Sequence, residues 1–108
     1  TRGLFGAEQF LRMKPTAVFV NTSRGPLVDQ AALAEALRAG TIFAAGLDVT
    51  DPEPLPPDHE LYGLANCVVA PHVASATVGT RDALARLCAD NLLAGLRGEK
   101  LPHPVNQV

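Results

Sequence analysis

The chain has 108 residues, 47% of them hydrophobic, with nine Lys plus Arg against eleven Asp plus Glu and a net charge of −2. That is enough for one small domain, and without a basic stripe nucleic acid is not an expected partner. No apolar run approaches the ~20 residues needed to span a bilayer, and the opening residues do not read as a signal peptide.

In chain order, Ala7, Phe10 and Leu11 fall at helical spacing, which predicts a helix from Ala7 to Met13, stopped by Pro15. Ala17-Val18-Phe19-Val20 is a continuous apolar run, the pattern of a strand covered on both faces, and predicts a first strand over Ala17–Asn21. Asn21-Thr22-Ser23-Arg24-Gly25-Pro26 breaks it. Asp29 can cap the next helix, which sets Ala32, Leu33, Ala36 and Leu37 on one face, has Arg38 in its last turn and meets a natural left-handed stop at Gly40. A second strand follows within Ile42–Val49. Strand, crossover helix and strand make one βαβ unit, right-handed by the general rule.

Prolines at 52, 54, 56 and 57 make Asp51–Pro57 a stiff extended loop, because proline cannot donate to a sheet ladder. A short turn at Glu60–Leu64 leads to a third strand, Asn66–Ala70, ended by Pro71. Thr77 to Arg97 reads as a long helix, with Ala83, Leu84, Leu87, Cys88, Asn91, Leu92 and Ala94 as its candidate buried stripe and Gly98 as its stop. Its length suggests that it leaves the sheet to bridge to another domain. The tail, Glu99–Val108, has two prolines and no periodicity. There are no repeats and no low-complexity segments. Cys67 and Cys88 read as small apolar residues in a reducing cytosolic setting, not as a disulfide. The chain starts at Thr1 without an initiator Met, which suggests a piece of something longer.

Arg24, Glu53 and His72 each sit just past the end of a predicted strand. In a parallel α/β sheet the crevice beyond the carboxyl ends of the strands is where ligands bind. A guanidinium matches a carboxylate with two parallel hydrogen bonds and can lean on a carbonyl oxygen. Glu53, between two prolines, keeps its direction with little entropy left to lose. A carboxylate beside His72 would favour the imidazolium and make it available as a general acid at neutral pH. Asp48, ending the second strand, can accept a hydrogen bond from a cofactor amide or cap the following turn. His59 and His103 lie in proline-rich loops and look solvent-exposed. No Cys or His spacing suggests zinc, and no Gly-x-Ser-x-Gly elbow is present. The chain also carries no Gly-x-Gly-x-x-Gly after a strand, so it lacks the phosphate-binding half of a dinucleotide fold.

Val20-Asn21-Thr22-Ser23-Arg24-Gly25, Ala45-Gly46-Leu47-Asp48-Val49, Pro52-Glu53-Pro54 and Pro71-His72-Val73-Ala74-Ser75-Ala76-Thr77 resemble, in order and spacing, the signature blocks of the D-isomer-specific 2-hydroxyacid dehydrogenases. The stretches from Met13 to Phe19, from Asp48 to Pro56 and from Asn91 to Glu99 look most like the branch that reduces glyoxylate and hydroxypyruvate. The resemblance implies an α/β fold: the C-terminal half of a Rossmann-like doubly wound parallel sheet, about three parallel strands, with a long C-terminal helix. Residues 1–98 would form that half of the NAD(P)-binding domain, and residues 99–108 a tail returning to a substrate domain outside this chain.

The resemblance also implies roles. Arg24, Glu53 and His72 would be catalytic. Asn21, Thr22, Ser23, Arg24, Asp48 and His72 would face the cofactor, NADP or NAD, with NADPH favoured. Arg24, His72 and Ser75 would meet a small 2-keto or 2-hydroxy acid. No metal is implied, nor a nucleic-acid or membrane partner. The full-length protein would be a cytoplasmic homodimer, and the piece alone inactive and prone to self-association. A nucleotide-sensing corepressor or binding module of the same superfamily is the alternative. A formate dehydrogenase-like member is disfavoured, because that branch usually has Gln where this chain has Glu53.

Overall fold

A computed structural model describes residues 1–106; the last two residues of the predicted tail, Gln107 and Val108, lie outside the described residues. The chain divides into two compact units, Thr1–Val73 and Ala74–Val108.

The first unit holds α1 (Ala7–Leu11), β1 (Val18–Asn21), α2 (Gln30–Arg38), β2 (Ala44–Leu47) and β3 (Cys67–Val69), with single 3-10 turns at Gly25–Leu27 and Glu60–Gly63. The strands form one parallel sheet in the order β1-β2-β3, with Phe19 opposite Ala45 and Ala45 opposite Cys67. Each strand is a residue or more shorter than its predicted range. Ala17 accepts from the Phe43 amide and the Asp48 amide donates to Asn21, both at 2.9 Å, so pairing frays into single hydrogen bonds at each end. The first helix likewise ends at Leu11 and not at Met13, with Arg12 as its C-cap.

Asp29 caps α2 as expected: one carboxylate oxygen accepts from the Ala31 and Ala32 amides at 3.1 Å. Gly40, at φ +67°, takes the left-handed stop. Between these ends, Leu33, Ala34, Ala36 and Leu37 are buried. They join Phe10, Phe19, Ile42, Ala45, Leu47, Leu55 and Leu61 in one core cluster. Phe19 sits between Phe5 and Phe10, with ring centroids 5.2 and 5.3 Å away.

That core lies under one face of the sheet only. Val18 and Val20 on β1 and Val68 on β3 are 59%, 63% and 69% exposed, so the expectation of strands covered on both faces is not met within this unit. The reason is geometric: side chains alternate along a strand, and a crossover helix covers only the face it packs against.

The second unit contains α3 (Val78–Leu96). Thr77 caps it by accepting from the Thr80 amide at 3.2 Å, and Gly98 follows its end at φ +70°. The tail folds onto it: the Asn91 side chain accepts from the His103 amide and donates to the His103 carbonyl, both at 2.9 Å. The predicted buried stripe is not buried. Ala94 is, and Asn91 is partly so, but Ala83, Leu84, Leu87, Cys88 and Leu92 are exposed. One helix and a short tail supply no second layer of their own for those side chains to pack into. Among the described residues, no helix is long and apolar enough to cross a membrane.

Candidate active site

The three strands of the first unit end on the same edge, and the turns beyond them carry the chemistry. After β1, the Asn21 side chain shapes its own loop. It accepts from the Ser23 amide and donates to the Arg24 carbonyl, each at 3.0 Å. Thr22 and Ser23 are exposed, and Arg24 is exposed with its Nη1 donating to the Ser23 carbonyl at 2.8 Å.

Gly25 explains why that loop can approach the next one. A Cβ built there would lie 2.0 Å from the Thr50 carbonyl oxygen and 2.7 Å from the Asp51 nitrogen. Only glycine permits this backbone contact. It brings the Arg24 turn against the segment that leads to Glu53.

After β2, Asp48 and Thr50 are buried while Glu53 emerges between its prolines. The Thr50 hydroxyl donates to the Pro52 carbonyl at 2.8 Å, and its amide reaches Glu53 Oε2 at 3.4 Å. After β3, His72 adopts φ +57°, the left-handed region, where His is one of the few side chains found with any frequency. The peptide beyond it is anchored, because Asp48 Oδ1 accepts from the Val73 amide at 2.7 Å. Asp48 thus holds the turn that carries His72, beyond β3, and not the turn that follows its own strand, which was the capping role expected from its position.

Glu53 Oε1 and His72 Nδ1 stand 2.5 Å apart. The hydrogen bond from His72 does most to hold the Glu53 carboxyl below its ordinary value; the Thr50 amide and the positive charge of Arg24 add to it, against partial removal from water. Of the sequence-predicted triplet, Glu53 and His72 are in contact, while Arg24 lies in the turn beyond the neighbouring strand with its guanidinium on the Ser23 carbonyl. The pair borders a cleft of about 370 Å³ lined also by Asp48, Thr50, Tyr62 and Ala70. Ser75 belongs to the second unit and is exposed there. No group of three or more His, Cys, Asp or Glu residues able to hold a metal occurs among the described residues.

With Nδ1 committed to Glu53, the imidazole has Nε2 left to exchange a proton with a bound molecule. A guanidinium on the same edge of the sheet, that of Arg24, can take a carboxylate. Such a set can donate a proton to a carbonyl oxygen on an anionic compound, or remove one from the matching alcohol. Sequence reading did not single out Gly25, Thr50 or Gln30. Gly25 carried a turn signal, but nothing in the sequence said what its backbone would meet. Gln30 acts through a backbone partner 21 residues along the chain, for which sequence has no local signal, while Thr50 bonds Pro52 and Glu53 within its own loop.

A family model described as "D-isomer specific 2-hydroxyacid dehydrogenase, NAD binding domain" matches residues 1–74. The chain is 57% identical over 102 residues to a mouse (Mus musculus) glyoxylate reductase/hydroxypyruvate reductase, covering 94% of this chain and 31% of that protein. It is 54% identical over 107 residues to a glyoxylate reductase of Korarchaeum cryptofilum, covering 99% and 32%. Among solved structures, an NADPH-dependent glyoxylate/hydroxypyruvate reductase from Sinorhizobium meliloti, in complex with NADP and malonate, aligns with TM-score 0.84 and 42% identity over 95% of this chain and 32% of that one. A D-isomer specific 2-hydroxyacid dehydrogenase from Xanthobacter autotrophicus, in complex with NADPH and MES, aligns with TM-score 0.85 and 40% identity over 98% and 43%. The chain spans about a third of the length of the curated relatives it matches.

Proposed function

Since the chain belongs to the D-isomer specific 2-hydroxyacid dehydrogenase family, we propose that it supplies the acid–base half of an NAD(P)H-dependent 2-keto acid reductase. The substrates in this reading are hydroxypyruvate, reduced to D-glycerate, and glyoxylate, reduced to glycolate. The single observation that carries it is the 2.5 Å contact between Glu53 and His72. The names of the curated relatives support the substrate class, and the NADP and NADPH complexes support the cofactor, with NADPH preferred.

The residues fit one end of such a cofactor. Asp48 is a buried carboxylate at a strand end, an acceptor suited to a carboxamide N–H, and the Asn21–Arg24 loop borders the neighbouring strand end. The phosphate-binding glycines would come from residues outside this chain. When bound, the reduced nicotinamide supplies a hydride to the keto carbon. Arg24 holds the substrate carboxylate and offsets the negative charge growing on the carbonyl oxygen. His72, protonated and steered by Glu53 at Nδ1, delivers the Nε2 proton to that oxygen. In the oxidative direction neutral His72 removes the same proton. Ser75 meets the far end of the substrate.

In this reading residues 1–98 form the C-terminal half of the cofactor-binding domain and residues 99–108 return to a substrate domain. The working protein is a cytoplasmic homodimer. The test is turnover of hydroxypyruvate and glyoxylate by the protein at its natural length, followed at the nicotinamide absorbance. Tight nucleotide binding with no turnover of either acid would overturn the reading.

A further inference from the structure

Gln30 makes two hydrogen bonds to one residue. Its Nε2 donates to the Asp51 carbonyl at 2.8 Å, and its Oε1 accepts from the Asp51 amide at 2.9 Å. The primary amide thus pairs with the backbone of Asp51 as a neighbouring strand would. Asp51 lies two residues before Glu53, in the segment that Gly25 seats against the Arg24 turn. Gln30 is itself the first residue of α2. The helix has no need of this side chain, because Asp29 caps it. Only a side chain with donor and acceptor on one planar group at this reach makes both bonds; Glu lacks the donor and Met lacks both.

From this clamp we infer that Gln30 is a positioning residue for the Glu53–His72 pair, locking the loop that carries the acid to the helix that follows the Arg24 turn. Asp51 has a second partner, Arg2, at 2.9 Å through its side chain, but both groups are exposed, and such ion pairs contribute little. The backbone clamp holds the path of the loop; the exposed ion pair decorates it.

The inference rests on the proposed reductase reading, and its test separates the two. In the protein at its natural length, Gln30→Met keeps the side chain's length and removes both bonds. Expected is a fall in kcat of about tenfold per active site, within the hundredfold that a 1 Å misplacement can cause, with KM within about twofold of the parent. The Glu53 carboxyl, followed by carbon NMR, is expected to titrate at higher pH in the variant, and the acid limb of the rate profile to move with it. Arg2→Ala is expected to leave kcat, KM and that titration unchanged.

A Gln30→Met protein with parental kcat and Glu53 titration overturns the inference. So does a variant whose loss of rate follows only a smaller folded fraction while the pH profile stays put. An equal effect from Arg2→Ala also overturns it, because the effect would then belong to the exposed ion pair. Should Gln30→Met fail to fold, Gln30→Glu, which keeps the acceptor and loses the donor, is read by the same two measurements. If the parent reduces no keto acid, the reductase reading fails, and the Glu53 titration alone still decides the role of Gln30.

Discussion

Gly25→Ala tests the idea that the Arg24 and Glu53 loops work as one piece. A methyl group at this position would stand 2.0 Å from the Thr50 carbonyl oxygen and 2.1 Å from its carbon, where ordinary contact begins at 3.4 Å. The two backbones must therefore part by about 1.4 Å. The obstacle is main chain at the end of β2, with no flexible side chain to swing away. Overpacking of this kind typically costs ~1–3 kcal/mol, and each kcal/mol lowers the midpoint of a domain of 150–250 residues by roughly 2–4 °C. The functional effect is larger. Displacing one loop by more than an ångström shifts the Arg24 turn relative to the segment that leads to Glu53, and a misplacement of about 1 Å can lose ~100-fold in rate. The measurements are hydroxypyruvate turnover at saturating nicotinamide cofactor and a thermal melt of the same preparation. A Gly25→Ala protein with kcat within about threefold of the parent and an unshifted melt would refute the close approach and the coupling built on it.

His72→Ala is expected to lower turnover by about 100-fold or more, the usual scale for a positioned general acid; a loss below about threefold would remove His72 from the mechanism. Glu53 has a carboxyl held below its ordinary 4.5 in the folded state, so its contribution to stability is present above that pH and is lost as pH falls through the lower folded value. The denaturation midpoints of the parent and Glu53→Gln should therefore differ near neutrality, and the gap should narrow from about pH 4.5 downward and close only below the folded value; a gap that does not shrink in acid contradicts the assigned cause. The 108-residue chain on its own should self-associate, because β1 is an edge strand and Val18, Val20 and Val68 are exposed on one sheet face. Sedimentation showing only monomer, together with a sharp thermal transition, would count against this.

The elements of this chain were legible where local rules operate. Asp29, Gly40 and Gly98 mark helix ends by side-chain capping or by left-handed backbone, and the structure uses each of them so. That Glu53 and His72 meet was legible because strand ends in a parallel sheet share an edge, which needs only the element order. The wiring around the pair was not. The Gln30 clamp spans 21 residues and the Asp48 contact with Val73 spans 25, and neither leaves a periodic or compositional mark. The α3 stripe misled for a related reason. Periodicity shows which residues share a helix face, and it says nothing about whether a second layer exists to cover that face.

The Glu53–His72 pair is 41% and 45% exposed, and a solvent-facing ion pair adds little to folding on its own. Yet its frame is held from four sides. His72 occupies a left-handed conformation that costs an L-residue about 1–2 kcal/mol. Asp48 pins the peptide after it, the Thr50 amide reaches the far carboxylate oxygen, and Gln30 grips the loop before the acid. Such a frame exceeds what a weak surface contact requires, and held strain of this sort is characteristic of functional sites. A general acid profits from it differently. The proton must sit at one atom with one direction, and electrostatic stabilisation at that atom strengthens once water is excluded. On the proposed reading the first condition is met inside this chain. The second is not met within the first unit, where both side chains of the pair face solvent.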